Sequence, residues 1–302
     1  MKARVDAAAV AVPSVSRTRT ADFLELTKPR ITLLVLATVM VAFYAGTRGS
    51  VRLLLLFHTL VGTGLVAGGA SAFNMYLERN LDALMRRTNQ RPLPAGRLQS
   101  GEVLTFALLI SIAGIVYLFA LVNPLTSLLS AITFLSYLFL YTPLKTRTWL
   151  CTLAGAVPGA LPAAMGWTAV TGGMSLEAWV LSGTIFFWQL PHFYALGWLF
   201  REDYARAGFP MLPVVDESGG RTSLHVTAGI AALILVTIIP TAMGMAGPVY
   251  LLGALAGGLI FLGYGISFAR LRDRGSARRL FLASVCYLPI LLTLLMVDKA
   301  AR

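Results

Sequence analysis

Asn74, Glu78 and Asp82 stand four residues apart in the stretch Ala72-Phe-Asn-Met-Tyr-Leu-Glu-Arg-Asn-Leu-Asp-Ala-Leu-Met-Arg-Arg87. At 3.6 residues per turn, each step of four advances by about 40°, so the three share one helix face. An amide oxygen and two carboxylates climbing a helix can ligate a hard cation through oxygen. Magnesium in particular keeps several waters and takes one or two carboxylates together with substrate phosphates. The plainer reading is a solvated helix end with salt bridges to Arg79 and Arg86.

A basic set follows at once: Arg86-Arg-Thr-Asn-Gln-Arg-Pro-Leu-Pro94. Pro92 and Pro94 stiffen the turn and so aim Arg87 and Arg91. With Lys145 and Arg147 further along the chain, these cations could clamp phosphate oxygens. For most of the basic residues, a topological signal is the simpler explanation.

A third group lies in Trp188-Gln-Leu-Pro-His-Phe-Tyr194, which leads to Arg201-Glu-Asp-Tyr204. Gln189 and His192 are polar groups inside an apolar run, and such groups at membrane depth mark functional cavities by default. A satisfied packing histidine is the competing reading. His58 and His225 sit near the ends of apolar segments, where interfacial packing explains them. The glycines from Gly62 to Gly69 have no strand before them and read as close helix packing, as do Gly155/Gly159 and Gly253/Gly257. Cys151 and Cys286 lie in apolar runs without metal or disulfide spacing.

Elements must hold these residues in place, and the composition says which kind. The 302 residues are 57% hydrophobic and 13% charged, with a mean hydropathy of +0.75. A soluble domain carries about 25% charged residues. The expected fold is therefore an all-α integral membrane protein. Nine apolar segments can be cut, at 31–46, 53–75, 102–121, 125–141, 149–169, 176–199, 223–245, 249–269 and 280–297. Most approach the roughly 20 residues a bilayer requires, and the first, fourth and ninth are short. The net charge of +12 could suggest nucleic acid, but the basic residues sit between apolar runs, so no nucleic-acid partner is expected. Of 25 basic residues, 21 fall in the N-terminal segment and in the connections after spans 2, 4, 6 and 8. The positive-inside rule puts that side, and the N-terminus, in the cytoplasm. Residues 1–22 read as a disordered cytoplasmic tail, and 23–302 as a single polytopic domain.

In order, the blocks Thr27-Lys-Pro-Arg-Ile31, Asn-Met-Tyr-Leu-Glu-Arg, Met-Arg-Arg-Thr-Asn-Gln-Arg-Pro-Leu-Pro, Tyr141-Thr-Pro-Leu-Lys145, Trp188-Gln-Leu-Pro-His-Phe and Glu202-Asp-Tyr-Ala-Arg-Ala-Gly-Phe-Pro-Met-Leu-Pro213 resemble the intramembrane aromatic prenyltransferase (UbiA-type) superfamily. The resemblance is greatest to its protohaem-farnesylating branch, and it implies nine transmembrane helices around a central cavity. It also implies a Mg2+-bound diphosphate site, with Asn74, Glu78 and Asp82 as the first acidic motif. The second motif of the superfamily is a pair of aspartates four apart. Here Asp203 has Leu199 four residues before it and Glu202 beside it, so that pair is broken. Asp203 is then the single aspartate left to the second position, and the first face carries most of the metal binding. Arg87, Arg91, Lys145, Arg147, Tyr141, Lys28, Arg30, Gln189 and His192 are the implied substrate-binding residues, with His192 toward the haem iron or a propionate. The implied reaction joins the farnesyl group of farnesyl diphosphate to a vinyl group of haem b, with water addition, to give haem O. The implied setting is a bacterial inner membrane, with a haem A synthase as candidate partner. A quinone- or chlorophyll-type prenyltransferase is the rival within the class. A transporter is the rival from another class, although its usual inverted repeats are not evident in the positions of the prolines.

Overall fold

The structure is a computed structural model that describes residues 18–299. Residues 1–17 of the expected tail lie outside the described residues. Residues 19–22 do not belong to that tail, because they open the first helix, α1 (Arg19–Leu26). The Thr18 hydroxyl accepts from the Ala21 amide at 3.3 Å as its N-cap, and Asp22 is buried.

The remaining helices are α2 (Pro29–Gly46), α3 (Leu53–Asp82), α4 (Ser100–Leu121), α5 (Pro124–Leu135), α6 (Thr142–Leu144), α7 (Cys151–Thr171) and α8 (Leu176–Leu199). They continue as α9 (Arg201–Arg206), α10 (Leu212–Val215), α11 (Gly220–Ala242), α12 (Pro248–Leu271) and α13 (Arg274–Val297). A π-helical turn, Ser136–Tyr141, joins α5 to α6 without a break. The described residues contain no β-strand, only an isolated bridge between Ala246 and Lys299.

Eight helical segments among the described residues are long and apolar enough to cross a bilayer: α2, α3, α4, the continuous 124–144 segment, α7, α11, α12 and α13. α8 has 24 residues, but Gln189, Pro191, His192 and its tryptophans dilute its hydropathy. The expected segments that looked short are longer as helices. α2 starts at Pro29, a residue suited to a first helical position. α13 starts at Arg274, because arginines in a first turn can reach past the apolar core to water. The π-turn carries the fourth segment to residue 144.

α3 packs along α4, and α2 along α7. α8 lies between α7, α11 and α13, while α13 reaches back to α2 and closes the bundle. The outward surface is apolar, with Leu33, Phe57, Leu109, Phe119, Leu235 and Leu252 all more than half exposed. Water would not favour such a surface, and lipid does. Small residues let the backbones approach. A Cβ at Gly69 would lie 2.0 Å from the Ser111 hydroxyl, and one at Gly166 would lie 2.2 Å from the Val39 carbonyl oxygen. The backbone cannot yield as a side-chain tip can. Gly166→Ala is therefore expected to cost about 1–3 kcal/mol, seen as a lower unfolding temperature in detergent.

Candidate active site

The expected polar face forms. α3 runs unbroken through Asn74, Glu78 and Asp82, and all three are buried, with Asp82 fully enclosed. Each faces a cation from a different part of the chain. The Lys28 ammonium donates to Asn74 Oδ1 at 3.1 Å, the Lys145 ammonium to Glu78 Oε1 at 2.7 Å, and the Arg91 guanidinium to Asp82 Oδ2 at 2.7 Å. The Asn74 amide also donates to the Thr142 hydroxyl at 3.3 Å. A row of three oxygen-bearing side chains thus alternates with a row of three cations.

Local structure explains how each cation arrives. Lys28 joins α1 to α2 with φ +47°, a left-handed conformation that costs a non-glycine residue energy unless its surroundings hold it. Arg97 anchors the helix that precedes Lys28. It donates to Asp22 at 2.8 Å, to Glu25 at 3.3 Å and to the Gln90 carbonyl at 2.9 Å, and so ties α1 to the connection after α3. Arg91 lies in the same connection, just before buried Pro92, in keeping with the expected stiffening. Lys145 follows the π-turn, and its ammonium stands 4.6 Å from the centre of the Tyr141 ring. Gly155 makes room for that ring, since a Cβ there would meet it at 2.5 Å.

Burial, and then repulsion from Arg91 and Lys145, lowers the Lys28 pKa from 10.5 to about 7. Burial opposes the Lys145 charge too, but the Glu78 carboxylate outweighs it and holds the Lys145 pKa well above the ordinary lysine value. Lys28 is thus a cation that an arriving anion would stabilise.

Arg87 is exposed and belongs to a second layer. It donates to the Tyr204 hydroxyl at 3.1 Å, and its guanidinium lies 4.8 Å from the centre of the Phe200 ring. It thereby joins the connection after α3 to the connection after α8. Asp203 is buried on α9 and is engaged by Arg206, while Glu202 beside it is exposed. The two do not face the same way, as their adjacency implies.

Other expected site residues lie elsewhere. Arg30 and Arg147 are exposed and have no place in the row. Gln189 donates to the carbonyls of Ala156 and Ile185, both at 3.2 Å, and Gly159 leaves the space it occupies. In this structure it fastens α8 to α7. His192 is stacked between Trp188 and Phe281, at 4.9 Å from each, and its Nδ1 pairs with the Ser284 hydroxyl at 2.8 Å. It therefore faces α13. Thr142 supports the row and Phe200 and Tyr204 hold Arg87 in the second layer; none of the three carries a signal of its own in the sequence, although Thr142 stands in the Tyr-Thr-Pro-Leu-Lys block.

The donor set can be tested against the implied magnesium. Among the described residues, no three His, Cys, Asp or Glu side chains converge, so the protein offers two carboxylates and an amide. That is the complement Mg2+ takes when phosphates supply the rest. Asp82 Oδ1 is buried and has no hydrogen-bond partner. An orphaned carboxylate oxygen costs about 1–3 kcal/mol or more, which a cation would recover. The residues fit the ion.

Residues 35–288 match the UbiA prenyltransferase family. The protoheme IX farnesyltransferase of Solibacter usitatus is 45% identical over 287 residues, covering 92% of this chain and 98% of that one. The enzyme of the same name from Opitutus terrae is 42% identical, covering 94% and 96%. Among solved structures, a UbiA homolog from Archaeoglobus fulgidus bound to GPP and Mg2+ superposes with a TM-score of 0.66 at 15% identity, covering 91% and 99%. A structure described for digeranylgeranylglyceryl phosphate synthase gives 0.78 at 14% identity, covering 92% and 98%. At those identities the structures speak for the fold.

Proposed function

The chain belongs to the UbiA prenyltransferase family, and from that premise we propose that it transfers the farnesyl group of farnesyl diphosphate to a vinyl group of haem b. It is a multi-pass membrane prenyltransferase; the acceptor, donor and residue roles that follow are our reading. The relatives named protoheme IX farnesyltransferase support the substrates. The buried row pairing Asn74 with Lys28, Glu78 with Lys145 and Asp82 with Arg91 carries the chemistry. The transporter reading falls with the family match, and the relatives favour haem over a quinone or chlorophyll precursor.

The reaction breaks the allylic C–O bond of farnesyl diphosphate. The electron pair leaves with diphosphate, and the allylic carbon bonds to the outer vinyl carbon of haem b. Water then adds to the inner vinyl carbon and gives up a proton, which yields the hydroxyethylfarnesyl group of haem O. No protein nucleophile is needed. The demand on the protein is to stabilise negative charge on a departing diphosphate.

Asn74, Glu78 and Asp82 would hold Mg2+, which when bound neutralises diphosphate and makes it a better leaving group. Lys145, Arg91 and Lys28 then turn from the α3 face to phosphate oxygens, and Arg87 closes from the α8 side. Tyr141, already under a cation, borders the reacting end. Asp203 has a smaller part, holding Arg206 and the short helix α9 in place. With Nδ1 paired to Ser284, Nε2 is the nitrogen through which His192 would meet haem. Arg30 and Arg147 serve by general attraction of the anionic substrate.

The reading further takes α8 as the ninth crossing and puts the N-terminus and the row on the cytoplasmic side of a bacterial inner membrane. Haem O would pass on to a haem A synthase. The test is the product. Haems extracted from cells that lack their own haem O-forming activity are expected to include haem O only when this chain is expressed. Unchanged haem b alone would overturn the proposal.

A further inference from the structure

Outside the row of charges, a recess lies between α12 and α13. It is a groove of about 380 Å3, bordered by Gly253 and Gly257 on one helix and by Arg279, Cys286 and Ile290 on the other. Its walls are mainly apolar, and it opens outward, with Ile260 and Ile290 more than half exposed. Two glycines one turn apart on α12 let α13 approach closely along its floor, since a Cβ at Gly253 would meet Leu294 at 2.3 Å and one at Gly257 would meet Tyr287 at 3.2 Å. One end is not apolar. Arg279 lies there, beside the turn that also carries Arg270, Arg272, Arg274 and Arg278 against the single acid Asp273. The Asp273 carboxylate caps α13 by accepting from the Ser276 amide at 2.7 Å, and it also lies in the field of Arg279, so one acid stands against five arginines.

The dimensions select an occupant. From Arg279 to Leu291 the α13 wall rises about 18 Å at 1.5 Å per residue, close to half of the roughly 30 Å hydrocarbon core. That is the depth of one leaflet. A chain-like apolar slot one leaflet deep, with clustered arginines at the headgroup level, complements an anionic lipid.

We propose that the α12–α13 groove is a binding site for an anionic phospholipid of the leaflet facing the active-site end of the bundle. One acyl chain lies along Gly253 and Gly257, and the headgroup phosphate sits on Arg279. The turn that would hold the headgroup also touches the loop before α11, through the Arg272 guanidinium and the Ser218 carbonyl at 3.1 Å. Lipid at this place therefore braces the connections around the active-site mouth.

Native mass spectrometry of the full chain in detergent, titrated with phosphatidylglycerol or with phosphatidylcholine of the same chains, tests the site. The expected result is one phosphatidylglycerol adduct retained at least about tenfold better than phosphatidylcholine. Arg279→Gln should lose that preference, and so should Cys286→Trp, which fills the groove from its exposed side. As a second reading, phosphatidylglycerol should slow alkylation of exposed Cys286 by N-ethylmaleimide several-fold in the wild type and not in Arg279→Gln. Equal retention of the two lipids, unaltered retention by both variants, or a groove covered by a second copy of the chain would each overturn the proposal. Haem O formation is not the readout, so the result stands apart from the proposed reaction.

Discussion

Replacing Asp82 by Asn is expected to lower haem O formation by about 100- to 1,000-fold, the loss typical when one charge-stabilising group is removed. Asp82 is fully buried, with one oxygen held by Arg91 at 2.7 Å and the other without a partner. The amide keeps the shape and can still accept from Arg91. It loses the negative charge that the open position would present to a metal. The variant should therefore fold, show a nearly unchanged unfolding temperature in detergent, and require more magnesium for its residual activity. Wild-type rates at unchanged magnesium dependence would remove Asp82 from the proposed ligands. A collapse of the unfolding temperature would instead assign it to the fold.

The second large effect concerns Lys145 and Glu78. Their side chains are only 12% and 7% exposed, and they meet at 2.7 Å. Breaking a buried pair by removing one partner typically costs about 3–5 kcal/mol, because the remaining charge is stranded. Lys145→Met should thus lower the unfolding temperature strongly. Adding Glu78→Gln removes the stranded charge and should restore most of the stability. Product formation should stay at least about 100-fold below wild type in the double variant, since both the phosphate-facing cation and a metal-facing carboxylate are gone. Recovery of activity together with stability would show the pair to be structural only.

These expectations rest on a face that the spacing of Asn74, Glu78 and Asp82 already defined. Helical periodicity is local, so three residues four apart share a face in any unbroken helix, and α3 is unbroken there. The same holds for the apolar segments. Their lengths and the scarcity of charge made an all-helical membrane protein the expectation, and small residues marked where helices would touch. Cutting the apolar segments at charged or turn-rich breaks makes three of them short. A helix continues past an arginine that can reach water, as at Arg274, and through a π-turn, as at Ser136–Tyr141.

The kind of fold and the line of oxygens on one helix are thus legible from the residues and their spacing. Which cations meet that line follows from the packing of the whole bundle. Lys28, Arg91 and Lys145 converge from three connections, whereas Arg30 and Arg147, of the same type and only two residues from Lys28 and Lys145, stay exposed. The tertiary structure also turned Gln189 onto α7 and His192 onto Ser284 of α13. Spacing along a chain fixes the face of a helix. The neighbour toward which that face turns depends on how every other helix packs, and no local pattern contains that information.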